Sequence, residues 1–465
     1  MSKIAVFAAV VVGACAALAA TGFKGRKTVV GIDLGTTYSV IGINEGSKVA
    51  IIPGGDGSPL LPSVVSFLEN GKVVVGRDAV ELLESRPAST IYGAKRFIGR
   101  GFEDTAVSEE AAEHEFQLVQ TDNDLSEAWF ELKCSGHPPA VSPQRVGSHV
   151  IRGLLHRAAN YLGHSQVSKA VVAVPAKFDA RQRAATVEAF RLAGLQQVIR
   201  TLEEPTAAAL AFGLHRKPNV NHILVYDMGG GTLDVSVLFV NDGSVEVLGS
   251  DGDDNLGGSD FDQCVTHVLE RKLGDRVVAL EVAEQAVSCG FPSPTCARHN
   301  LYQLSESIRR GLTDGREADT ECMALSGEGL GDSQQKYLRL QESIKIGSGT
   351  GDRGELNQES IIPGSSEGPA GHDCGEWEPI SLDLTRSEYE GECIALFERG
   401  VEPVTRLLDR LDLTVDDIDE VVMVGGMTRT PLVRELLRSH LGVDRLNVEI
   451  DPDVVVAYGA ATIAH

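Results

Sequence analysis

One stretch constrains this chain more than any other. The apolar run His222-Ile-Leu-Val-Tyr226 leads into Asp227-Met-Gly-Gly-Gly-Thr232-Leu-Asp234 and out through Val235 to Val240. It reads as a strand that delivers a carboxylate, turns through three glycines and returns as a second strand. Glycine reaches backbone angles closed to other residues and lets amides approach a bound group. Successive amides in such a turn form an anion-binding nest. A carboxylate beside a phosphate nest makes chemical sense when a divalent cation sits between the two. Alone, the stretch would be an ordinary glycine-rich hairpin.

It has an echo. Val29-Val-Gly-Ile32 ends in Asp33-Leu-Gly35-Thr36-Thr37-Tyr38, followed by a strand from Ser39 to Ile43 and a third near Lys48 to Ile52. Each half of the chain therefore opens with the same device, and two similar lobes are expected, each with one phosphate-facing hairpin and one carboxylate.

Between the hairpins, Tyr92-Gly-Ala-Lys95-Arg-Phe-Ile-Gly99 reads as a basic loop and Glu103 to Glu115 as acidic surface. A helix over Val141 to Leu162 precedes a buried strand, Lys169 to Val174. Asp179-x-x-Gln182 has the capping-box pattern, with a helix expected to run to Ala193 and stop at Gly194. Pro205 suits a first helical turn and fixes Glu204 at a helix mouth. Later come a long helix beginning near Asn255 to Asp262, and a helix over Leu301 to Leu312 whose Glu306, Arg309 and Arg310 share a face. The Gly-, Ser- and acid-rich stretch 326–376 reads as a disordered insertion with a short amphipathic piece near Tyr337 to Ile346. After it, Glu420 to Val424 leads into Gly425-Gly426-Met427-Thr428-Arg429, Thr430-Pro431 opens a helix ending at Leu441-Gly442, and Asp451-Pro452 caps a last helix rich in small residues. Strands alternating with helices indicate an α/β architecture.

At 465 residues the chain can bury more than one core. Its 66 acidic against 42 basic residues, a formal charge of −24, argue against nucleic acid or an anionic membrane as partner. Lys3 followed by the uncharged run Ile4 to Ala20, closing in Ala17-Leu-Ala19-Ala20, reads as a secretory signal peptide over 1–20, or else as an uncleaved anchor. Cysteines stand at 15, 134, 264, 289, 296, 322, 374 and 393 with no C-x-x-C pair, so a zinc or thioredoxin-like site is not expected. Secretory entry permits disulfides without assigning any.

These motifs together resemble the ATPase domain of the seventy-kilodalton heat-shock chaperones, within the actin/hexokinase superfamily. The carrying stretches are Gly31 to Tyr38, Ala94 to Gly99, Val174-Pro-Ala, Glu204-Pro-Thr-Ala-Ala-Ala209, Asp227 to Ser236, Leu256-Gly-Gly, and Val424-Gly-Gly-Met-Thr-Arg-Thr-Pro431. The resemblance implies a two-lobed actin-like fold with a nucleotide cleft between lobe I (28–213) and lobe II (214–445, carrying the insertion), a helix within 446–465 returning to lobe I, and no β-rich peptide-binding domain. Ser142-Pro-Gln-Arg-Val-Gly147 and Cys289-Gly-Phe-Pro-Ser293 resemble a microsome-associated branch that consists of the ATPase domain alone.

The resemblance also implies a site. Gly35, Thr36, Thr37 and Tyr38 would grip the phosphates of ATP or ADP from one side, and Gly229, Gly230, Gly231 and Thr232 from the other. Asp33 and Asp227 would hold Mg²⁺ through water, Lys95 would place positive charge near the γ-phosphate, and Glu204 and Asp234 would orient the attacking water. Glu306, Arg309, Arg310 and Thr313 would line the adenosine pocket with Gly425, Gly426, Arg429 and Asp453. Departures from the family pattern are Lys177 for a usual Tyr near the interdomain relay whose arginine is Arg183, Arg309 for Lys, Thr313 for Ser, and Met427 for Ser. The expected activity is ATP hydrolysis in protein folding or processing, in the endoplasmic reticulum lumen or microsome. Secretion, or anchoring by the N-terminal segment as the sole membrane contact, is the alternative location. Co-chaperones of the nucleotide-exchange or J-domain type, ubiquitin-like proteins and clients are the implied partners. A nucleotide-dependent interaction module with little turnover is the alternative function. A small-molecule kinase lacks any motif of its own.

Overall fold

The computed structural model describes residues 11–13, 28–46, 48–83, 85–112, 114–121, 126–277, 295–325 and 377–464. The expected signal segment (11–13 apart), the 326–376 insertion and Cys289 to Ser293 lie outside the described residues. Among the described residues no helix is long and apolar enough to cross a membrane. The chain divides into two compact units. One comprises 1–254, 403–428 and 438–465, and the other 255–402 and 429–437.

The first unit is built on two sheets of mixed α/β character. β1 (Val29–Leu34) pairs antiparallel with β2 (Tyr38–Asn44), which pairs with β3 (Val49–Ile51). On its other side β1 runs parallel to β4 (Lys169–Val174), and β4 to β5 (Gln197–Glu203). In the second sheet β6 (His222–Met228) pairs antiparallel with β7 (Leu233–Asn241), and β7 with β8 (Ser244–Asp253). On its other side β6 runs parallel to β9 (Glu420–Val424). The pairing pattern is the same in both sheets. A central strand ending in Asp33 or Asp227 has an antiparallel hairpin partner on one side and a parallel strand on the other.

Alternation explains how the strands sit. Along β4, Ala170, Val172 and Val174 join one apolar cluster, while Val171 and Ala173 join another. A strand buried on both faces reads as an unbroken apolar run, as this one does. One face of the first sheet is covered by α2 (Pro143–Leu162) and α3 (Ala180–Leu192), following α1 (Thr105–Ala111) in the chain. Ser142 caps α2, and the capping box of Asp179 with Gln182 forms as expected.

The other face is covered by α4 (Glu204–Ala211) and α5 (Val455–Thr462). These helices come very close because their contacting residues are small. A Cβ added at Gly459 would lie 1.8 Å from the Ala207 carbonyl oxygen, and one at Gly31 would lie 2.2 Å from the Ala461 nitrogen. The sequence places Asp451-Pro452 as the cap of α5, and the structure corrects this. Asp451 accepts from the Asp453 amide at 3.0 Å, closing a turn, and the helix begins at Val455. A side chain that satisfies the amide two residues on offers a turn in place of a helix start.

In the second unit, helices Gly258–Leu273 and Arg298–Asp314 lie against a hairpin of strands Glu317–Leu325 and Trp377–Thr385. Among its described residues it is cross-linked by the disulfides Cys264–Cys393 and Cys296–Cys322. In the first unit, Cys134 is buried as a free thiol.

Close helix packing through glycine yields a paired test. Gly459→Ala forces backbone apart and should cost roughly 3 kcal/mol or more. Gly391→Ala, in a helix with open space where the Cβ would go, should stabilise by roughly 0.5–1 kcal/mol. Denaturant midpoints of the two variants check both signs.

Candidate functional site

The tips of the two hairpins meet. A Cβ added at Gly230 would lie 2.5 Å from the Thr37 hydroxyl oxygen, so the second turn reaches the first only as glycine. Gly35 is equally confined, since an added Cβ would sit 2.1 Å from the Tyr38 carbonyl oxygen. Ser63 locks this turn from behind. Its hydroxyl donates to the Gly35 carbonyl at 2.8 Å and its amide to the Thr37 carbonyl at 2.8 Å. The second turn is closed by the Gly229 amide donating to the Thr232 carbonyl at 3.0 Å.

Four carboxylates and two ammoniums, those of Lys95 and Lys177, gather at these turns. Lys95, in a short 3-10 turn over Ala94–Arg96, donates to Glu204 at 2.6 Å, and both side chains are mostly buried. Glu204 is the first residue of α4, held there by Pro205 as the sequence implies. Asp227 lies opposite Asp234 across the β6–β7 ladder. Burial pushes the Asp33 carboxyl up to about 7, with Glu204 adding to the rise and Lys95 opposing it. Burial likewise pushes Asp227 well above the usual carboxylate range, reinforced by Glu204, Asp234 and Asp33. Burial alone would lower the Lys95 ammonium, but Glu204, Asp33 and Asp227 together hold it above its usual value. Beyond burial, the acids at these turns outnumber the ammoniums, which adds to the upward push on the Asp33 and Asp227 carboxyls.

Gly425, Gly426 and Asp453 fall at the same end of the second sheet. A Cβ on Gly425 would meet the Met228 carbonyl at 2.3 Å and an Asp227 carboxylate oxygen at 2.8 Å, and one on Gly426 would meet Asp453 at 2.9 Å. In the second unit, Arg310 pairs with Glu306 at 2.6 Å. Arg309 turns inward from that face to a bidentate, buried pair with Asp262, at 2.6 and 3.1 Å. Thr313 Oγ1 donates to the Arg309 carbonyl at 3.3 Å. Arg429 belongs to the second unit as well.

Two residues carry more than the sequence reveals. Arg96 donates to the Gly231 carbonyl at 2.9 Å and the Asp254 carbonyl at 3.1 Å, tying the second phosphate turn to the Lys95 segment. Its guanidinium also holds Glu110 at 2.8 Å, and Glu110 in turn meets the His114 ring at 2.8 Å. The acidic stretch read as solvated surface therefore contributes largely buried side chains, Glu110 and His114 among them. Lys177 lies 2.9 Å from Asp234, at the second glycine turn. Arg183 donates to Glu203 at 2.9 Å and to the Ala176 carbonyl at 3.1 Å, bracing the same loop. The only sequence hint of these ties is their adjacency to the assigned residues.

Comparison with known proteins follows the same lines. The family described as Hsp70 protein matches residues 29–287 and 372–465. The chain is similar to Chaperone protein DnaK of Prochlorococcus marinus, with 36% identity over 93% of this chain and 58% of that protein. It is similar to the Stromal 70 kDa heat shock-related protein, chloroplastic, of Pisum sativum, with 37% identity over 94% of this chain and 53% of that one. To Heat shock 70 kDa protein 13 of Mus musculus it is 36% identical over 93% of this chain and 87% of that one. The chain thus spans somewhat over half the length of the first two relatives.

The raised Asp33 has a signed consequence. Its folded-state pKa lies above the usual 3.8, so the protonated form favours the fold. That contribution is complete below about pH 4 and is lost as pH rises through about 7. Between about pH 4 and pH 7, protein free of nucleotide and divalent ions should lose stability. Asp33→Asn should remove on the order of 2–4 kcal/mol of that loss. Chemical denaturation of both proteins across this range measures the difference.

Proposed function

Because the chain belongs to the Hsp70 protein family, with the α/β fold of that family's actin-like ATPase, we propose that it binds ATP with Mg²⁺ and hydrolyses it. The observation that carries this reading is the meeting of two glycine hairpins, each with a half-buried carboxylate near its strand end, around the Lys95–Glu204 pair. Amides of Thr36 to Tyr38 and of Gly230 to Thr232 take the phosphate oxygens, while the Gly229 amide closes its own turn. Lys95 presents its ammonium to the transferred phosphoryl group. Glu204, immobile at the mouth of α4, and Asp234 orient water.

The residues fit a divalent ion, because burial pushes Asp33 and Asp227 toward neutrality, with Glu204 adding to both and Lys95 opposing both. Bound magnesium, held by Asp33 and Asp227 through water, would supply the charge that screens the phosphate oxygens. Such chemistry rests on positioning and electrostatic stabilisation, with no covalent intermediate on the protein.

Within the family we place the chain with the truncated, microsome-associated stress-seventy branch known as STCH. The Ser142 to Gly147 segment supports this, as does coverage of 87% of the mouse relative. The endoplasmic reticulum lumen is its proposed location, supported by the apolar N-terminal run and by two disulfides, which persist in oxidising compartments. Protein folding or processing is its proposed task. Exchange factors, J-domain proteins, ubiquitin-like proteins and clients are its proposed partners.

Protein lacking residues 1–20 should release phosphate from Mg-ATP. Asp33→Asn and Lys95→Ala should each lower the rate by at least about a hundredfold, the scale of removing a preorganised charge contact. Tight ADP binding with turnover equal in all three proteins would instead make the chain a nucleotide-reading module. Location has its own test. Protein recovered from the secretory pathway should resist thiol alkylation at Cys264, Cys296, Cys322 and Cys393, and reduction should cost about 2–5 kcal/mol per bridge. Full alkylation of these four cysteines in that material would count against the lumenal assignment.

A further inference from the structure

We propose that Lys177 is a positioning residue of the phosphate site, a built-in counter-cation that fixes Asp234 and lessens the demand for an external one. The proposal rests on the ATP-binding reading above. Lys177 leaves the carboxyl end of β4 through Pro175 and Ala176, so it approaches the second hairpin from the sheet that carries Asp33. Its Nζ lies 2.9 Å from the Asp234 carboxylate. Opposite Asp234 in the β7–β8 ladder stands Gly252, where an added Cβ would lie 2.6 Å from that Nζ. The neighbouring strand thus has no side chain where the ammonium sits.

A small cavity joins the pair to the rest of the site, lined among others by Lys177, Asp234, Glu204 and Asp227, with Ser236 and Ser250 on its wall. The two serine hydroxyls are 2.8 Å apart, bonded to each other.

Magnitude decides what this pair is for. Both side chains are 37% exposed. An ion pair that open to water contributes little to stability. Charge balance at the site is another matter. Asp33, Glu204, Asp227 and Asp234 gather there, and Lys95 is committed to Glu204. Without Lys177 a single cation faces four carboxylates, and an anionic nucleotide arriving without metal meets a strongly negative site. A unit charge several ångströms from a bound phosphate, at the effective dielectric of a half-exposed site, changes affinity on the order of 3- to 20-fold.

Calorimetry of ADP binding tests this on the wild type, Lys177→Met and Lys177→Arg, in chelator and in saturating magnesium, at low and high salt. In chelator, Lys177→Met should bind ADP roughly 3- to 20-fold more weakly, with the loss shrinking at high salt as screening sets in. The same variant should reach half-saturation at a lower magnesium concentration, because the site has become more negative. Lys177→Arg should restore both values. If Lys177→Met weakens binding equally with and without magnesium, at both salt concentrations, Lys177 is a structural tie and the proposal fails. Wild-type affinity of Lys177→Met in chelator overturns it as well. A wild type that binds no ADP under any condition overturns the ATP reading together with it.

Discussion

Burying like charges beside one another is the constraint on which this structure turns. Asp33 and Asp227 end strands sheltered on both faces, and each is pushed toward neutrality by burial and by the other carboxylates nearby. Nothing in the packing of the first unit requires acids at these two positions. An apolar residue at either strand end would relieve the repulsion, so the fold tolerates them at a cost to its own stability. Perturbed carboxylates of this kind cluster where a protein handles charge. Lys95 offsets part of the cost through Glu204, and the remaining imbalance is what a bound divalent ion would relieve.

The two carboxylates are brought together by repeated topology. Each lies on a strand with an antiparallel hairpin partner on one side and a parallel neighbour on the other. Open α/β sheets place their ligand sites beyond the carboxyl ends of their strands. Two sheets with the same local order therefore present two equivalent turns, and the chain needs only to bring those ends together. Small residues make that possible. Gly31 against Ala461 and Gly459 against Ala207 let α5 and α4 approach closely, and Gly230 against Thr37 lets the turns themselves touch.

What could be read in advance was whatever depends on neighbours in the chain. The hairpins at Asp33 and Asp227, the strand over 169–174, the Asp179 capping box and Glu204 at a helix mouth all follow from residues a few positions apart. The boundary of α5 was misplaced for a local reason, because Asp451 closes a turn that competes with a helix cap. The remaining gaps are long-range. Arg96 reaches Gly231 across 135 positions, and Arg309 reaches Asp262 across 47. Side chains as long as arginine and lysine have many partners open to them, and only the assembled fold selects one. The bridges Cys264–Cys393 and Cys296–Cys322 were illegible for the same reason, since spacing cannot choose among pairings.

Those bridges also show that the two units are stabilised in different ways. The first unit buries large apolar clusters along two sheets, with strands sheltered on both faces. In the second, a helix pair and an antiparallel strand pair do not rely on apolar packing alone. It has other means. Cys296 and Cys322 are fully buried, and their bridge ties the start of one helix to the hairpin, while Cys264–Cys393 joins residues 129 positions apart. Cross-links that close long loops take most entropy from the unfolded chain. The buried Arg309–Asp262 pair adds orientation more than stability, because desolvating two charges offsets much of their attraction. The second unit therefore draws on covalent cross-links, whereas the first draws on apolar packing along its two sheets, the same packing that holds its carboxylates together.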